Sequence, residues 1–429
     1  MSHTAEIIAV GTELLLGNIT NTNASEISQA LSAVGVNVFW HTVVGDNPER
    51  LREALKIARK RADVILTTGG LGPTYDDLTK QTVCETFGKP LVLREDVLEH
   101  IRTYFARNVH LTMPENNRQQ AEFPADCVIF DNPVGTAPGC AFEADGVHVL
   151  MLPGPPHECE TMLRRCVEPY LRALSKEVIV SHDIMTFGMG ESAIEELMRE
   201  KIARMENPSL ATYARPSEVR LRATAKAENA EAAEALLAPV VRETVAYLGD
   251  IVYGVDVPNL ETACMAALKK KGWTFATAES CTGGRVAERI TALPGASEVY
   301  RGSVVSYWTQ VKADVLGIDS ALLKEYGAVS EPCARAMAEN VRRITGAELA
   351  VSVTGVAGPD ADERGNPVGL VFVALAAPEA TYCRKLDLGK RRRDRIQDMA
   401  SNHAYDLLRR YLAGLAVEPA TPGKHLERL

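Results

Sequence analysis

The chain has 429 residues, too many for one ordinary core, and its composition (46% hydrophobic, 24% charged, 6% aromatic) is that of globular domains, not of a fibrous or disordered polymer. A net charge of −9, from 47 basic and 56 acidic residues, argues against a general nucleic-acid binder, which needs a basic face. The nine scattered cysteines form no C-x-x-C pair and speak against a zinc ribbon or a disulfide framework; with no secretory signal and no apolar run near the roughly 18 residues of a membrane span, a cytoplasmic protein is expected.

The predicted elements begin with EIIAVG (6–11), a buried strand, and a helix over 22–34 with Ile27, Leu31 and Val34 at helical spacing and Gly35 as its stop. Asn47 and Pro48 suit the cap and first position of a helix that places Leu51 and Leu55 on one face, and VILTTGG (64–70) is a second buried strand ending in glycines. This βαβ alternation predicts a mostly parallel sheet covered by helices. Residues 177–254 read as strand, helix, two strands, helix and strand, a small α+β segment without a catalytic constellation. After a linker at 253–262, with Asn259 as a cap, strands and helices alternate to a long closing helix carrying Ile396, Met399, Leu407 and Leu408; the last residues, PATPGKHLERL, read as a loose tail.

Two constellations carry chemistry. GTELLLGN and GGLGPTYDD each follow a predicted strand, where open α/β sheets bind ligands. Gly69, Gly70 and Gly72 allow backbone N–H groups to approach a phosphate, and Asp76 and Asp77 can hold a divalent cation against it. One of these aspartates also suits the cap of the next helix. No G-x-x-x-x-G-K-[ST] occurs, which excludes a Walker loop.

The second constellation is AESCTGG (278–284), with Ser280 and Cys281 side by side between a strand and a helix, where helix N–H groups can stabilise an oxyanion. This half has only His403 and His425 and neither lies in a motif, so a lysine is the better base candidate, and SYWTQVK offers Tyr307 and Lys312 five residues apart. Cys281 remains a rival nucleophile, because a helix N-terminus lowers a thiol pKa. TGVAGPD (354–360) is a further glycine loop, and KRRRDR (390–395) is a candidate anion site through Arg393, with at least three of its five basic residues read as a solvated helix end.

GTELLLGNITNTNA, GGLGPTYDDLT, NRQQAEFP, NPVGTAPG, LPGPPHE and GMGES, followed by AESCTGG, RGSVVSYWTQVK, AVSEP, TGVAGPD and NPVGLV, resemble the CinA (competence/damage-inducible protein) family over nearly the whole chain. The resemblance implies an α/β protein of three parts: a three-layer, molybdopterin-binding-like domain (1–175) with a mostly parallel sheet, a small α+β domain (176–254), and an α/β deamidase domain (258–415). For the first it implies a metal-dependent pyrophosphatase splitting ADP-ribose into AMP and ribose 5-phosphate, with Asp76 and Asp77 on a divalent ion, Mg2+ or similar, and Thr12, Glu13, Asn23, Asp46, Gly69, Gly70, Gly72, Thr74, Gly135 and Thr136 on the substrate.

For the last it implies a cofactor-free deamidase releasing ammonia from nicotinamide mononucleotide. Ser280 is then the nucleophile, Lys312 the general base and Tyr307 an assisting hydroxyl, with Thr282, Gly283, Gly284, Thr354, Gly355, Gly358 and Arg393 on the substrate and N–H groups near Thr282 and Gly283 on the oxyanion. The resemblance also implies a homodimer. The alternative is a competence-related or molybdopterin-binding protein without N-terminal catalysis. Two departures stand out: WTQ lies between Tyr307 and Lys312 where the family more often has smaller polar residues, and Gln397 stands where another arginine is frequent.

Overall fold

The structure, a computed structural model, describes residues 3–109, 112–174, 177–215 and 217–417. The tail expected to be loose, with His425, lies outside the described residues. The chain divides into two compact units, Met1–Ser181 with Ala225–Leu236 and His182–Thr224 with Leu237–Leu429. Among the described residues no helix is long and apolar enough to cross a membrane.

The first unit is built on strands β1 (Thr4–Val10), β2 (Asn37–Val44), β3 (Val64–Thr68), β4 (Leu91–Leu93), β5 (Glu122–Pro124), β6 (Val128–Phe130), β7 (Gly139–Ala144) and β8 (Val147–Leu152). Six of them form a sheet in the order β2-β1-β3-β8-β7-β6; β2, β1, β3 and β8 run parallel, and β7 and β6 add an antiparallel edge. Alternation along β1 makes the layers. Ile7 joins Ile27 and Leu31 of the helix Thr22–Ala33 and Leu163 on one face, whereas Ile8 joins Leu51, Leu55, Val83 and Leu98 from three helices on the other. Each fully buried Ile or Leu contributes about 1.5–3 kcal/mol. This is the expected three-layer α/β arrangement.

The local signals read from sequence are present. Asn47 Oδ1 accepts from Arg50 N at 3.0 Å with Pro48 at the first helical position, and Gly35 takes φ 83° just beyond the helix Thr22–Ala33. From β1 the chain moves to β2 on one side and then to β3 on the other. That reversal opens a crevice at the carboxyl ends of β1 and β3, where Gly11–Glu13 and Gly69–Gly72 emerge.

The next strands, β9 (Val178–Phe187), β10 (Ser209–Arg215), β11 (Glu218–Ala227) and β12 (Val252–Val255), form a sheet in the order β10-β11-β9-β12, interleaved with helices Glu191–Ala203 and Ala230–Leu248. Burial alternates along Glu218–Ala227, as EVRLRATA predicts. The last sheet contains β13 (Phe275–Glu279), β14 (Tyr300–Val305), β15 (Leu349–Gly355), β16 (Leu370–Ala376) and β17 (Thr381–Asp387) in the order β14-β13-β15-β16-β17. β13 is parallel to both neighbours, and β16 and β17 are antiparallel. Phe275 packs with Leu407 and Leu408 of the closing helix Arg393–Leu412, while Ala276 and Ala278 face Met337 and Val341 on the opposite side. Here too the chain passes from β13 to β14 on one side and to β15 on the other, so Ser280 leaves the sheet at a second reversal point.

Candidate functional site

At the first reversal a cleft of about 540 Å³ is lined by Glu13, Asn23, Asp46, Gly69, Gly70, Gly72, Asp76, Asp77 and Thr136 of the predicted set, together with Glu158 and Gln120. Thr12, Thr74 and Gly135 of the predicted set are not part of that lining. Thr12 donates through its N and Oγ1 to Asp46 Oδ2, both at 2.8 Å, and so aims that carboxylate. Asn23 donates to Thr68 Oγ1 at 2.9 Å and to Gly154 O at 2.8 Å, tying the helix Thr22–Ala33 to the end of β3 and to the loop after β8. Gly135 leaves room for Glu158, whose Oε2 would lie 2.2 Å from any Cβ there.

Thr74 Oγ1 lies 2.5 Å from Asp76 Oδ1 and 2.6 Å from Asp77 Oδ2, and Thr74 N donates to the latter at 2.9 Å. One hydroxyl proton can serve only one of two carboxylates at a time, so the pair retains a demand for positive charge. Neither aspartate caps the helix Thr79–Thr86, whose cap residue is Leu78 without a side-chain bond; Asp77 closes its own turn back on Thr74 instead. Among the described residues no three His, Cys, Asp or Glu side chains gather into a metal cage. Two adjacent carboxylate oxygens nevertheless fit a hard divalent ion that fills its other positions with water and phosphate oxygens. Glu158 adds a carboxyl raised by burial and held at 2.6 Å by Asn132 Nδ2.

The glycine loop is gripped from behind by the segment Glu115–Ala121. Gln120 Nε2 donates to Leu71 O (3.4 Å), Gln119 Nε2 to Gly72 O (3.0 Å) and Thr74 O (3.3 Å), and Asn116 Nδ2 to Pro73 O (3.1 Å). Gly69 and Gly70 take φ 103° and 66°, and a Cβ would meet Val10 O and Thr79 Oγ1 at 2.1 Å in each case, so neither position admits a side chain.

At the second reversal Lys312 Nζ lies 3.0 Å from Ser280 Oγ and 2.5 Å from Ser306 O. Lys312 is 1% exposed, and burial lowers its pKa; the opposing influences come only from the thiols of Cys333 and Cys281. Those thiols are themselves pushed by burial to about 11 and about 12, so they carry almost no charge. Cys281, 5% exposed, is thus an inert packing thiol, and the lysine addresses Ser280.

The helix after Ser280 does not offer the oxyanion donors expected of it. Glu279, fully buried, accepts from Thr282 Oγ1 (2.7 Å), Gly284 N (3.0 Å), Val286 N (3.1 Å) and Ala287 N (2.8 Å), while Gly283 N turns back to Ser280 O (3.1 Å). The N–H groups of Cys281 and Thr282 are left without a hydrogen-bond acceptor among the described residues, and these are the donors available beside Ser280. Tyr307 is exposed, and its hydroxyl meets Arg393 instead of Ser280 or Lys312; Arg393 also donates to Gly358 O at 2.6 Å. Thr354, read as a substrate contact, is buried and donates to Ala328 O at 2.7 Å, and a Cβ at Gly355 would press 2.7 Å from Leu370 O, so both hold the sheet end. Gln397 Nε2 donates to Cys281 O at 2.8 Å, fixing the turn after Ser280.

Three family models match the chain: "Probable molybdopterin binding domain" at residues 6–173, "Damage-inducible protein CinA KH domain" at 181–254 and "CinA C-terminal domain" at 258–412. A CinA-like protein of Kosmotoga olearia is 43% identical over 412 residues, covering 96% of this chain and 99% of its own. The chain belongs to the CinA family. A CinA-like protein of Desulfovibrio desulfuricans is 46% identical over 417 residues, covering 96% and 97%. The crystal structure of a CinA protein of Thermoplasma acidophilum is 34% identical, covering 40% of this chain and 98% of its own with a TM-score of 0.37.

Several CinA residues in these sites escaped the sequence reading although they sit in or beside a quoted motif: Glu279 in AESCTGG, Glu158 in LPGPPHE, Gln119 and Gln120 in NRQQAEFP, and Asn116 just before it. For Glu279 a usable signal was there. A carboxylate ending a buried strand just before a glycine pair and a helix needs donors, and the free N–H groups of that helix supply them.

Proposed function

We propose that this chain is a bifunctional hydrolase of pyridine-nucleotide recycling, with a Ser-Lys amidase acting on nicotinamide mononucleotide and a metal-dependent pyrophosphatase acting on ADP-ribose. The observation that carries the first activity is the buried amine of Lys312 at 3.0 Å from Ser280 Oγ, with no carboxylate to hold it charged. As a neutral amine Lys312 donates to Ser306 O and accepts the Ser280 proton. Ser280 Oγ attacks the carboxamide carbon, and the oxyanion meets the N–H groups of Cys281 and Thr282. Lys312 returns the proton to the departing ammonia, and water then cleaves the acyl-enzyme to nicotinate mononucleotide. Arg393, held by Gly358 and Tyr307, supplies positive charge for the substrate phosphate. The test is ammonia release from nicotinamide mononucleotide by the full chain, and an inert wild type removes this reading.

The N-terminal reading rests on the makeup of the 540 Å³ cleft, which is lined by five carboxylates and a glycine loop and by no lysine, arginine or histidine. A diphosphate would be repelled there unless a cation accompanied it. A divalent ion held by Asp76 and Asp77 would supply that neutralisation. Asp46, aimed by Thr12, and Glu158, aimed by Asn132, are the carboxylates placed to handle the water proton. The match of residues 6–173 to a molybdopterin-binding model supports a rival in which the same cleft binds a pterin phosphate without turnover. AMP formation from ADP-ribose and Mg2+ is incompatible with that rival. Both substrates arise from NAD breakdown, which gives a reason for joining the two activities, and nine free cysteines suit a reducing cytoplasm.

A further inference from the structure

The motif NRQQAEFP (117–124) has no part in the chemistry above, yet two of its side chains, with Asn116 just before it, grip the loop of the acidic cleft. We infer that Asn116, Gln119 and Gln120 are positioning residues that hold the Gly70–Gly72 backbone open as a phosphate-binding nest, an inference that rests on the pyrophosphatase reading. Four consecutive carbonyls, of Leu71, Gly72, Pro73 and Thr74, each accept a side-chain amide proton from this segment, and Gly70 O accepts from Thr79 N at 3.2 Å. Every acceptor of the loop from 70 to 74 is therefore occupied. By contrast, the N–H groups of Gly70, Leu71 and Gly72 reach no hydrogen-bond acceptor among the described residues, and these residues line the cleft. Unoccupied donors beside filled acceptors give the loop the polarity an anion needs.

The grip is itself anchored. Lys80, 8% exposed, donates from Nζ to Gln120 O at 3.0 Å and lies 4.1 Å from the centre of the Phe123 ring, and Asn117 Nδ2 fixes Gln120 Oε1 at 2.7 Å, leaving the Gln120 amide protons for Leu71. Amides suit this task better than charged groups. An arginine would compete with the cation for the phosphate, and a carboxylate would repel the carbonyls it must hold.

The test uses the full chain with Gln119→Ala, Gln119→Glu and the double variant Asn116→Ala/Gln119→Ala. Calorimetry with inorganic pyrophosphate and Mg2+ gives the affinity, ADP-ribose hydrolysis gives KM and kcat, and ammonia release from nicotinamide mononucleotide by the same chain reports that it is folded. The double variant is expected to weaken pyrophosphate binding and raise KM for ADP-ribose about tenfold, with kcat within about threefold and ammonia release unchanged; Gln119→Glu is expected to match it through a single site. Pyrophosphate affinity and KM within twofold of wild type overturn the inference, as does a parallel loss of ammonia release, which marks a merely structural role. If the wild type binds Mg2+ and pyrophosphate but leaves ADP-ribose intact, the catalytic reading fails while the binding comparison still decides the nest.

Discussion

Replacing Lys312 by methionine isolates the base from the fold. Methionine keeps the length of the buried stem and removes the amine, which is the only side-chain group among the described residues within hydrogen-bond reach of Ser280 Oγ. A positioned general base contributes about 10²–10⁴ in rate, so at about 1.4 kcal/mol per tenfold the variant should lose about 3–5 kcal/mol of transition-state stabilisation. Stability should move the other way. Burial places the folded-state pKa of Lys312 below the ordinary 10.5, so the stability available above pH 10.5 is lost as pH falls toward the folded value and stays lost at neutral pH. Lys312→Met removes that penalty at the cost of the bonds to Ser306 O and Ser280 Oγ, each worth about 0.5–1.5 kcal/mol, so stability at pH 7 should be held or slightly raised. Ammonia release and thermal melting at pH 7 and at pH 10 measure both effects. A variant that keeps more than a tenth of wild-type kcat/KM, or that melts well below wild type at pH 7, refutes the assignment of Lys312 as a buried neutral base.

Ser280→Ala should abolish ammonia release while Cys281→Ala keeps kcat within about threefold, because burial holds that thiol near 12 and leaves it unreactive; the opposite pattern would make cysteine the nucleophile. For the wild type, kcat/KM should rise with pH and level off before 10.5, following the lowered lysine, and a profile falling above neutrality would contradict this. Glu279→Gln should cost about 3 kcal/mol in denaturant unfolding and reduce kcat, since an amide cannot replace a buried carboxylate that accepts four hydrogen bonds. Asp76→Asn and Asp77→Asn should each raise the Mg2+ concentration needed for AMP formation at least tenfold and leave ammonia release unchanged, and an unaltered Mg2+ requirement would place the ion elsewhere.

What the sequence by itself determined was local or periodic. A short apolar run marked β1 and alternation the strand Glu218–Ala227, helical spacing marked Ile27 with Leu31 and Leu51 with Leu55, and short polar caps at Asn47 and Asn259 sit where the residues after them predict. Strand ends followed by glycines located both candidate sites, because a parallel sheet places its loops at one edge. The identity of the basic partner of Ser280 was also within reach, since neither histidine of this half lies in a motif.

Only the tertiary structure decided what each polar group in those loops is free to do. Helix Arg285–Thr291 suggests oxyanion donors when read alone, yet a carboxylate from the end of β13 takes them and leaves the N–H groups of Cys281 and Thr282 without an acceptor among the described residues. Tyr307 turned to Arg393, Thr354 to Ala328 O, and Asp77 back to Thr74, each because a partner distant in sequence or a turn of the chain offered a better bond. The physical reason is that a buried donor or acceptor must find a partner, and the sequence names the groups without fixing which of them meet. Lys312 and Ser280 stand 32 residues apart, and only the sheet places one beside the other in a site buried enough to lower the pKa of the amine.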